Sequence, residues 1–163
     1  FYCSGPHSSL LRELDGKGIA VRDIGGDVGR ASGIKMCYAS LTKGTSALQV
    51  AMLTAAESLG LTDELVSELE FSQPESLKRL EANIPRLPSN AGRWTGEMEE
   101  IAATFDAAGV TPHFHQGAAE IFRLLASTPF AEESPETVDR TRTMAETIRV
   151  VAEHLPSRSE TGD

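Results

Sequence analysis

From residue 25 to residue 60 the chain contains no proline, and the middle of this stretch is nearly free of charge: GGDVGRASGIKMCYASLTKGTSALQVAMLTAAESLG. Within it Ile34, Tyr38, Leu41, Leu48, Met52, Ala55 and Leu59 recur at three- to four-residue spacing, which predicts a helix with one buried face. The opposite face is small rather than polar: Ala39, Ser40, Gly44, Ser46, Ala47 and Ala51. A helix that is apolar or small all round is expected to be central and packed on several sides. Lys35 and Lys43 stand out on it, because lysine is seldom fully buried without a partner.

The flanking patterns predict the rest. Phe1–Cys3 is a short apolar strand, Ser8 or Ser9 caps a helix through Leu14 with Leu10, Leu11 and Leu14 on one face, and Ile19–Ile24 alternates as a second strand. That compressed βαβ unit normally belongs to a parallel sheet, and two strands alone do not make a stable one. The unit is therefore expected to be part of a larger sheet contributed from elsewhere, and the start at Phe1 to lie within a longer protein. Helices are expected from Thr62 or Asp63 to about Phe71, and from Pro74 until just before Pro85. Residues 85–96, PRLPSNAGRWTG, read as the one long irregular connection, carrying Arg86, Arg93 and Trp94. Helices follow over Glu97–Ala108, Gln116–Ser127 and Thr137–His154, with Met98, Ile101, Ala102 and Phe105 inward on the first and Ala118, Ile121, Phe122 and Leu125 inward on the second. The last uses Val138, Ala145, Ile148, Val151 and Leu155.

The expected fold is thus mainly α. A helical bundle built on one long central helix (29–156) follows a short βαβ remnant (1–28) and precedes a polar tail (157–163).

Composition narrows the function classes. At 163 residues and 40% hydrophobic content the chain is long enough for an ordinary core. A net charge of -9 argues against nonspecific nucleic-acid binding, which needs clustered Lys and Arg. No apolar run reaches the roughly 18 to 20 residues that span a bilayer. The two cysteines, Cys3 and Cys37, do not form a disulfide framework, and Cys37 is expected to act as a small hydrophobe. A cytoplasmic location follows by default.

Candidate chemistry is sparse. GGDVG at 25–29 could aim backbone N–H groups at a phosphate, although a plain tight turn explains it as well, and it is not G-x-G-x-x-G. A lysine in apolar surroundings has its charged form disfavoured, which suits Lys35 to proton transfer; the alternative is a lysine that snorkels to the surface. Lys43, eight residues on, points about 80° away around the helix axis. His113 and His115 flank Phe114, but no neighbouring residues complete a zinc site, so no metal is expected. Glu97, Glu99 and Glu100 are explained by a helix N-terminus, where the macrodipole favours carboxylates.

At GDVGRASGIKMCYASLTKGTSAL, and again at RWTGEMEEIAATFDAAGV, the sequence resembles the C-terminal part of 6-phosphogluconate dehydrogenase-like, or 3-hydroxyacid dehydrogenase-like, NAD(P)-dependent oxidoreductases. Closest is the branch of phosphogluconate dehydrogenase-like proteins with a KM-x-YA-x-x-TKG stretch. In such proteins a Rossmann domain precedes a helical domain, and the long helix between them carries the catalytic lysine. On the pattern G-x-G-x-x-x-K fall Gly29, Ala31 and Lys35, with Ala replacing the second Gly. The resemblance implies Lys35 as general acid/base, Gly29 and Ala31 near the cofactor (NADP or NAD), and a small-molecule hydroxy acid or related carbonyl as substrate. The two Asn positions of the family are Tyr38 and Ala39 here, so a different substrate contact is implied, with Tyr38 beside it. A Lys-Asp pair of the wider family falls at Gly96-Glu97; the acid is kept, and Arg93 or Lys43 is left to supply the positive charge.

The resemblance also implies a homodimer, and that the cofactor's main binding domain lies upstream of Phe1, so that residues 1–163 alone are not expected to catalyse. The competing expectation is a non-catalytic helical dimerisation module whose small-residue stripe (Ala39, Gly44, Ala47, Ala51) meets a partner chain. A weaker third is an anion-binding regulatory domain using GGDVG and Arg93.

Overall fold

A computed structural model describes residues 1–134 and 136–156; the polar tail expected over 157–163 lies outside the described residues. The fold is mainly α, with one tiny parallel sheet at the N-terminus. Strands β1 (Tyr2–Cys3) and β2 (Arg22–Asp23) pair in parallel, Tyr2 opposite Arg22 and Cys3 opposite Asp23. Between them Ser8–Leu14 winds as a 3-10 helix, tighter than the α-helix the pattern suggested. Its apolar face finds nothing to cover it: Leu10 and Leu14 are exposed. Polar bonds hold the unit instead. Asp23 accepts from Ser8 Oγ at 2.7 Å, from the Gly25 N–H at 2.9 Å and from Arg12 Nε at 3.1 Å, and this bonding, led by the Ser8 hydroxyl, holds its carboxyl below the usual range.

The turn into the first helix runs through Gly25, Gly26 and Gly29, all at positive φ. Helix α1 spans Arg30–Leu59, about 45 Å at 1.5 Å per residue. It ends where Gly60 turns left-handed and the Leu61 N–H reaches the Ala56 carbonyl at 2.9 Å, closing a Schellman motif. As expected it is the central helix, packing against α4, α5 and α6.

Its inward face is the reverse of the one the spacing suggested. Ile34, Tyr38, Leu41, Leu48 and Leu59 are exposed, whereas Ala39, Gly44, Ala47, Val50, Leu53, Thr54 and Ala56 are buried. Small side chains let neighbouring helices approach: a Cβ on Gly44 would lie 3.3 Å from the Phe114 ring. The large side chains stay exposed even where this chain comes near, as Phe1 and Tyr2 do beside Ile34 and Tyr38. Cys37 shares that outward side and is exposed, not packed as a small hydrophobe.

Helix α3 (Pro74–Asn83) starts where its proline puts it, and helix α2 spans Thr62–Ser72 as expected, although its N-cap is Leu61, without a side-chain cap bond, in place of Thr62 or Asp63. After a 3-10 turn over Ile84–Arg86, α4 runs over Pro88–Ala107. The stretch expected to be a long loop is therefore mostly helix. Pro88 sits in the first turn, where its missing N–H costs nothing, and Ala91 is fully buried. Helix α5 spans His113–Ala126, three residues longer at its start than expected.

Helix α6 begins only at Met144 and runs to Glu153. Thr143 and Glu146 form a capping box there, and the preceding segment is pinned by Arg142, buried and bidentate to Glu133 (2.7 and 2.8 Å) and bonded to the Pro85 carbonyl at 2.6 Å. The core joins Val50 and Leu53 of α1 to Ile84, Met98, Ile101, Phe122, Leu125, Ile148 and Val151.

Candidate functional site

Three of the side chains that the sequence singled out, Lys43, Arg93 and Glu97, meet where α1 packs against α4. Arg93 and Glu97 lie one turn apart in mid-helix, not in a loop and not at a helix start, so the macrodipole does not account for Glu97. A local ion pair does. Arg93 Nη1 donates to Glu97 Oε1 at 2.7 Å, and its Nη2 to Asn90 Oδ1 at 3.2 Å. From α1, the Lys43 ammonium pairs with Glu97 Oε2, so each carboxylate oxygen has its own cation. The alternatives Lys43 and Arg93 for the positive charge beside Glu97 are both met. Lys43 also lies over the Trp94 ring, 5.8 Å from its centroid, and Trp94 in turn meets Phe122 edge-on at 5.4 Å.

Burial pushes the Glu97 carboxyl up, but the hydrogen bond and charge of Lys43, then the charges of Arg93 and Lys35, more than offset it and leave it below the usual range. That Lys35 acts on Glu97 at all places it on the same side of the molecule. The local balance is three cations to one carboxylate, in a chain of net charge -9.

Lys35 itself is exposed. The apolar enclosure expected for it is open on the side away from this chain: it edges a concavity of about 500 Å³ lined by Phe1, Tyr2, Ala31, Ile34, Lys35 and Tyr38. Tyr38, 69% exposed, is thus a neighbour of Lys35, while Lys43 and Glu97 lie around the helix on its other flank.

Gly29 caps α1 at φ 100, and three of the N–H groups that follow are engaged: Arg30 with the Asp27 carbonyl, Ala31 with Ser4 Oγ at 3.0 Å, Gly33 with the Gly29 carbonyl. The Arg30 side chain also lies over Gly26, where a Cβ would come within 2.5 Å of it. Gly29 and Ala31 thus shape the start of α1.

Among the described residues no group of three or more His, Cys, Asp or Glu side chains could hold a metal ion. The two histidines of the H-x-H pair face different partners. His113 Nδ1 meets Gln116 Oε1 at 2.9 Å, and His115 Nε2 meets Ser40 Oγ at 2.7 Å. His115 is buried between the Phe105 and Phe114 rings, and burial holds its pKa below the ordinary value. The pairing of Ser40 with His115 had no signal in the sequence, since the partners are 75 residues apart.

Residues 56–125 match the family described as a domain of unknown function, DUF1932. Over 71 residues the chain is 38% identical to an uncharacterized 28.5 kDa protein from the 7S RNA 5' region of Methanothermus fervidus, covering 44% of this chain and 28% of that protein. A conserved hypothetical protein from Sinorhizobium meliloti 1021 has the same fold, with a TM-score of 0.76 at 22% identity over 94% of this chain and 51% of its own. A second structure, the conserved protein MTH1747 of unknown function, is described as structurally similar to 3-hydroxyacid dehydrogenases. It matches at a TM-score of 0.58 and 31% identity, over 76% of this chain and 48% of its own.

The resemblance carried by the two sequence stretches is to the same class that MTH1747 is described as similar to, and the chain carries Lys35, Lys43, Arg93 and Glu97 in its helical part. It spans about half the length of the solved structures that it matches, and less of the curated relative. No described helix is long and apolar enough to cross a membrane.

Proposed function

We propose that the chain is the substrate-side helical domain of an NAD(P)-dependent oxidoreductase acting on a hydroxy acid or the matching carbonyl, with Lys35 exchanging the proton at the substrate oxygen. The observation that supports this reading most is the charge arrangement along one side of α1. Lys35 is free of an ion pair among the described residues, whereas Glu97 is held by both Lys43 and Arg93. Glu97 thus holds two cations and leaves Lys35 without an ion pair, and the surplus of positive charge, two cations to one carboxylate, favours an anionic substrate head. NAD or NADP supplies the hydride chemistry in such enzymes. Residues 1–28 are read as the end of the domain that mainly binds it, with Gly29 and Ala31 beside the cofactor, and residues 1–163 are expected to be inactive alone.

In the full-length protein, Lys35→Ala should lower kcat by at least about 10²-fold, the usual loss for a general acid/base, with circular dichroism unchanged. Wild-type turnover in that variant would exclude the reading.

A second reading rests on the outward face of α1. Ile34, Leu41, Leu48 and Ala55 repeat every seven residues, and Tyr38, Thr45, Met52 and Leu59 do so four places later, the a/d spacing of a coiled-coil seam. This seam, charge-free and largely exposed, suits a second copy of the chain in an isologous pair. The small-residue stripe first expected to meet a partner is not available, because Ala39, Gly44 and Ala47 are buried within the chain. Sedimentation at micromolar concentration should give a dimer that Leu41→Asp with Leu48→Asp converts to monomer; a monomeric wild type would rule the pairing out.

A further inference from the structure

We infer that the Lys35 site takes a hydroxy acid, or the matching oxo acid, with an apolar and preferably aromatic body, in place of a polyhydroxylated or phosphorylated one. This rests on the proposed role of Lys35. The concavity beside that lysine has the volume of a small-molecule site, and of its six lining residues three are aromatic and two more, Ala31 and Ile34, are aliphatic. Its side-chain polar groups are the two phenol hydroxyls of Tyr2 and Tyr38 and the Lys35 ammonium. A sugar acid with four or five hydroxyls would leave most of them desolvated and without partners there.

A phosphate would need a fork of donors, and no arginine lines the concavity, while Arg93 of the neighbouring charge group is committed to Glu97 and Asn90. The other flank of Lys35 is different in kind, with an excess of positive charge around Glu97. A ligand that fits both flanks has one anionic end, an oxygen within reach of the Lys35 ammonium, and a ring or branched chain lying along Ile34 and Tyr38. Tyr38 then selects the substrate and takes no part in the chemistry.

The test compares 3-phenyllactate with gluconate in the full-length protein supplied with NAD or NADP. We expect kcat/KM to favour 3-phenyllactate by about 10-fold or more, the scale on which apolar pockets discriminate. Tyr38→Ala should raise KM for 3-phenyllactate by about 10-fold and leave kcat nearly unchanged, Tyr38→Phe should keep the wild-type value, and gluconate kinetics should respond to neither. Equal or better use of gluconate, or a Tyr38→Ala variant with unaltered KM for 3-phenyllactate, overturns the inference.

If neither acid is turned over, calorimetric binding separates the two readings. Tyr38-dependent binding of 3-phenyllactate sustains this inference while the oxidoreductase role falls, and no binding removes it. Sedimentation of Tyr38→Ala supplies the last arm: a variant that loses binding because it no longer dimerises makes Tyr38 an interface residue and ends the inference.

Discussion

The two long faces of α1 differ in a way that inverts ordinary expectation. The face with the large side chains (Ile34, Tyr38, Leu41, Leu48, Leu59) is exposed, and the face with the small ones (Ala39, Gly44, Ala47) is buried. Hydrophobicity favours burial of both, because both are apolar. What separates them is the distance at which a neighbour can approach. Helices α4 and α5 come close over the small residues, as the contact of Gly44 with the Phe114 ring illustrates. A larger side chain at Gly44 or Ala47 would push them apart, whereas Val50 and Leu53, farther along the helix, fill the core itself. The large residues Ile34, Tyr38, Leu41, Leu48 and Leu59 are left exposed, and it is on that exposure that the proposed seam and the proposed ligand site rest. Burial of an apolar stripe therefore says that a partner surface exists somewhere, and only within one domain does it say where.

Substitutions along α1 break this contrast in order of size. Leu53→Ala, on the buried face, should lower stability by about 2–5 kcal/mol, read as a shift of the urea midpoint at constant slope. Ala47→Leu overfills the same interface and should cost about 1–3 kcal/mol, even though it adds hydrophobic surface. Leu48→Ala, on the outward face, should change the stability of the isolated monomer by no more than about 0.5 kcal/mol. If Leu48→Ala were as costly as Leu53→Ala at high dilution, the two faces would not differ as described.

A pH series sharpens the comparison from the buried side. His115 clasps Ser40 from α5, and its folded-state pKa lies below its ordinary value of 6.5 because the ring is buried. The unfolded chain therefore binds the proton first, and stability should fall as pH drops below about 6.5. Glu97 acts in the same direction at lower pH: its carboxyl is held below 4.5, so its contribution is present above that value and is lost as pH falls through the lower folded-state value. His115→Gln should flatten the upper part of this slope, and an unchanged slope would show that His115 does not couple α1 to α5.

Much of the framework was legible in the chain. Proline and candidate capping residues located α2 and α3 nearly to the residue, and the inward sets Met98, Ile101, Ala102 on α4 and Ala118, Phe122, Leu125 on α5 are buried as their spacing required. The start of α4 was misread because Pro85 and Pro88, followed by Gly92 and Gly96, look like a loop. A proline in the first turn is compatible with a helix, and packing on α5 outweighs the weak propensity of two glycines. Residues 137–143 were misread the other way: their pattern suits a helix, but the Arg142 clamp to Glu133 and Pro85 holds them out of one.

By itself the sequence determined the mainly helical class, the central place of α1, and the choice of Lys35, Lys43, Arg93 and Glu97 as the residues to watch. Local propensity and periodicity carry the first two and single out Lys35 and Lys43 as charges that interrupt an apolar helix, while Glu97, with Arg93 beside it, was singled out by the family resemblance. Tertiary structure alone decided which face of α1 turns inward, that Lys43 and Arg93 share the Glu97 carboxylate, and that Ser40 meets His115. Each of these is a meeting of residues far apart in the chain, across 54 positions for Lys43 and Glu97 and 75 for Ser40 and His115. Such meetings are fixed by how closely helices can pack, and that distance is not encoded in any single helix.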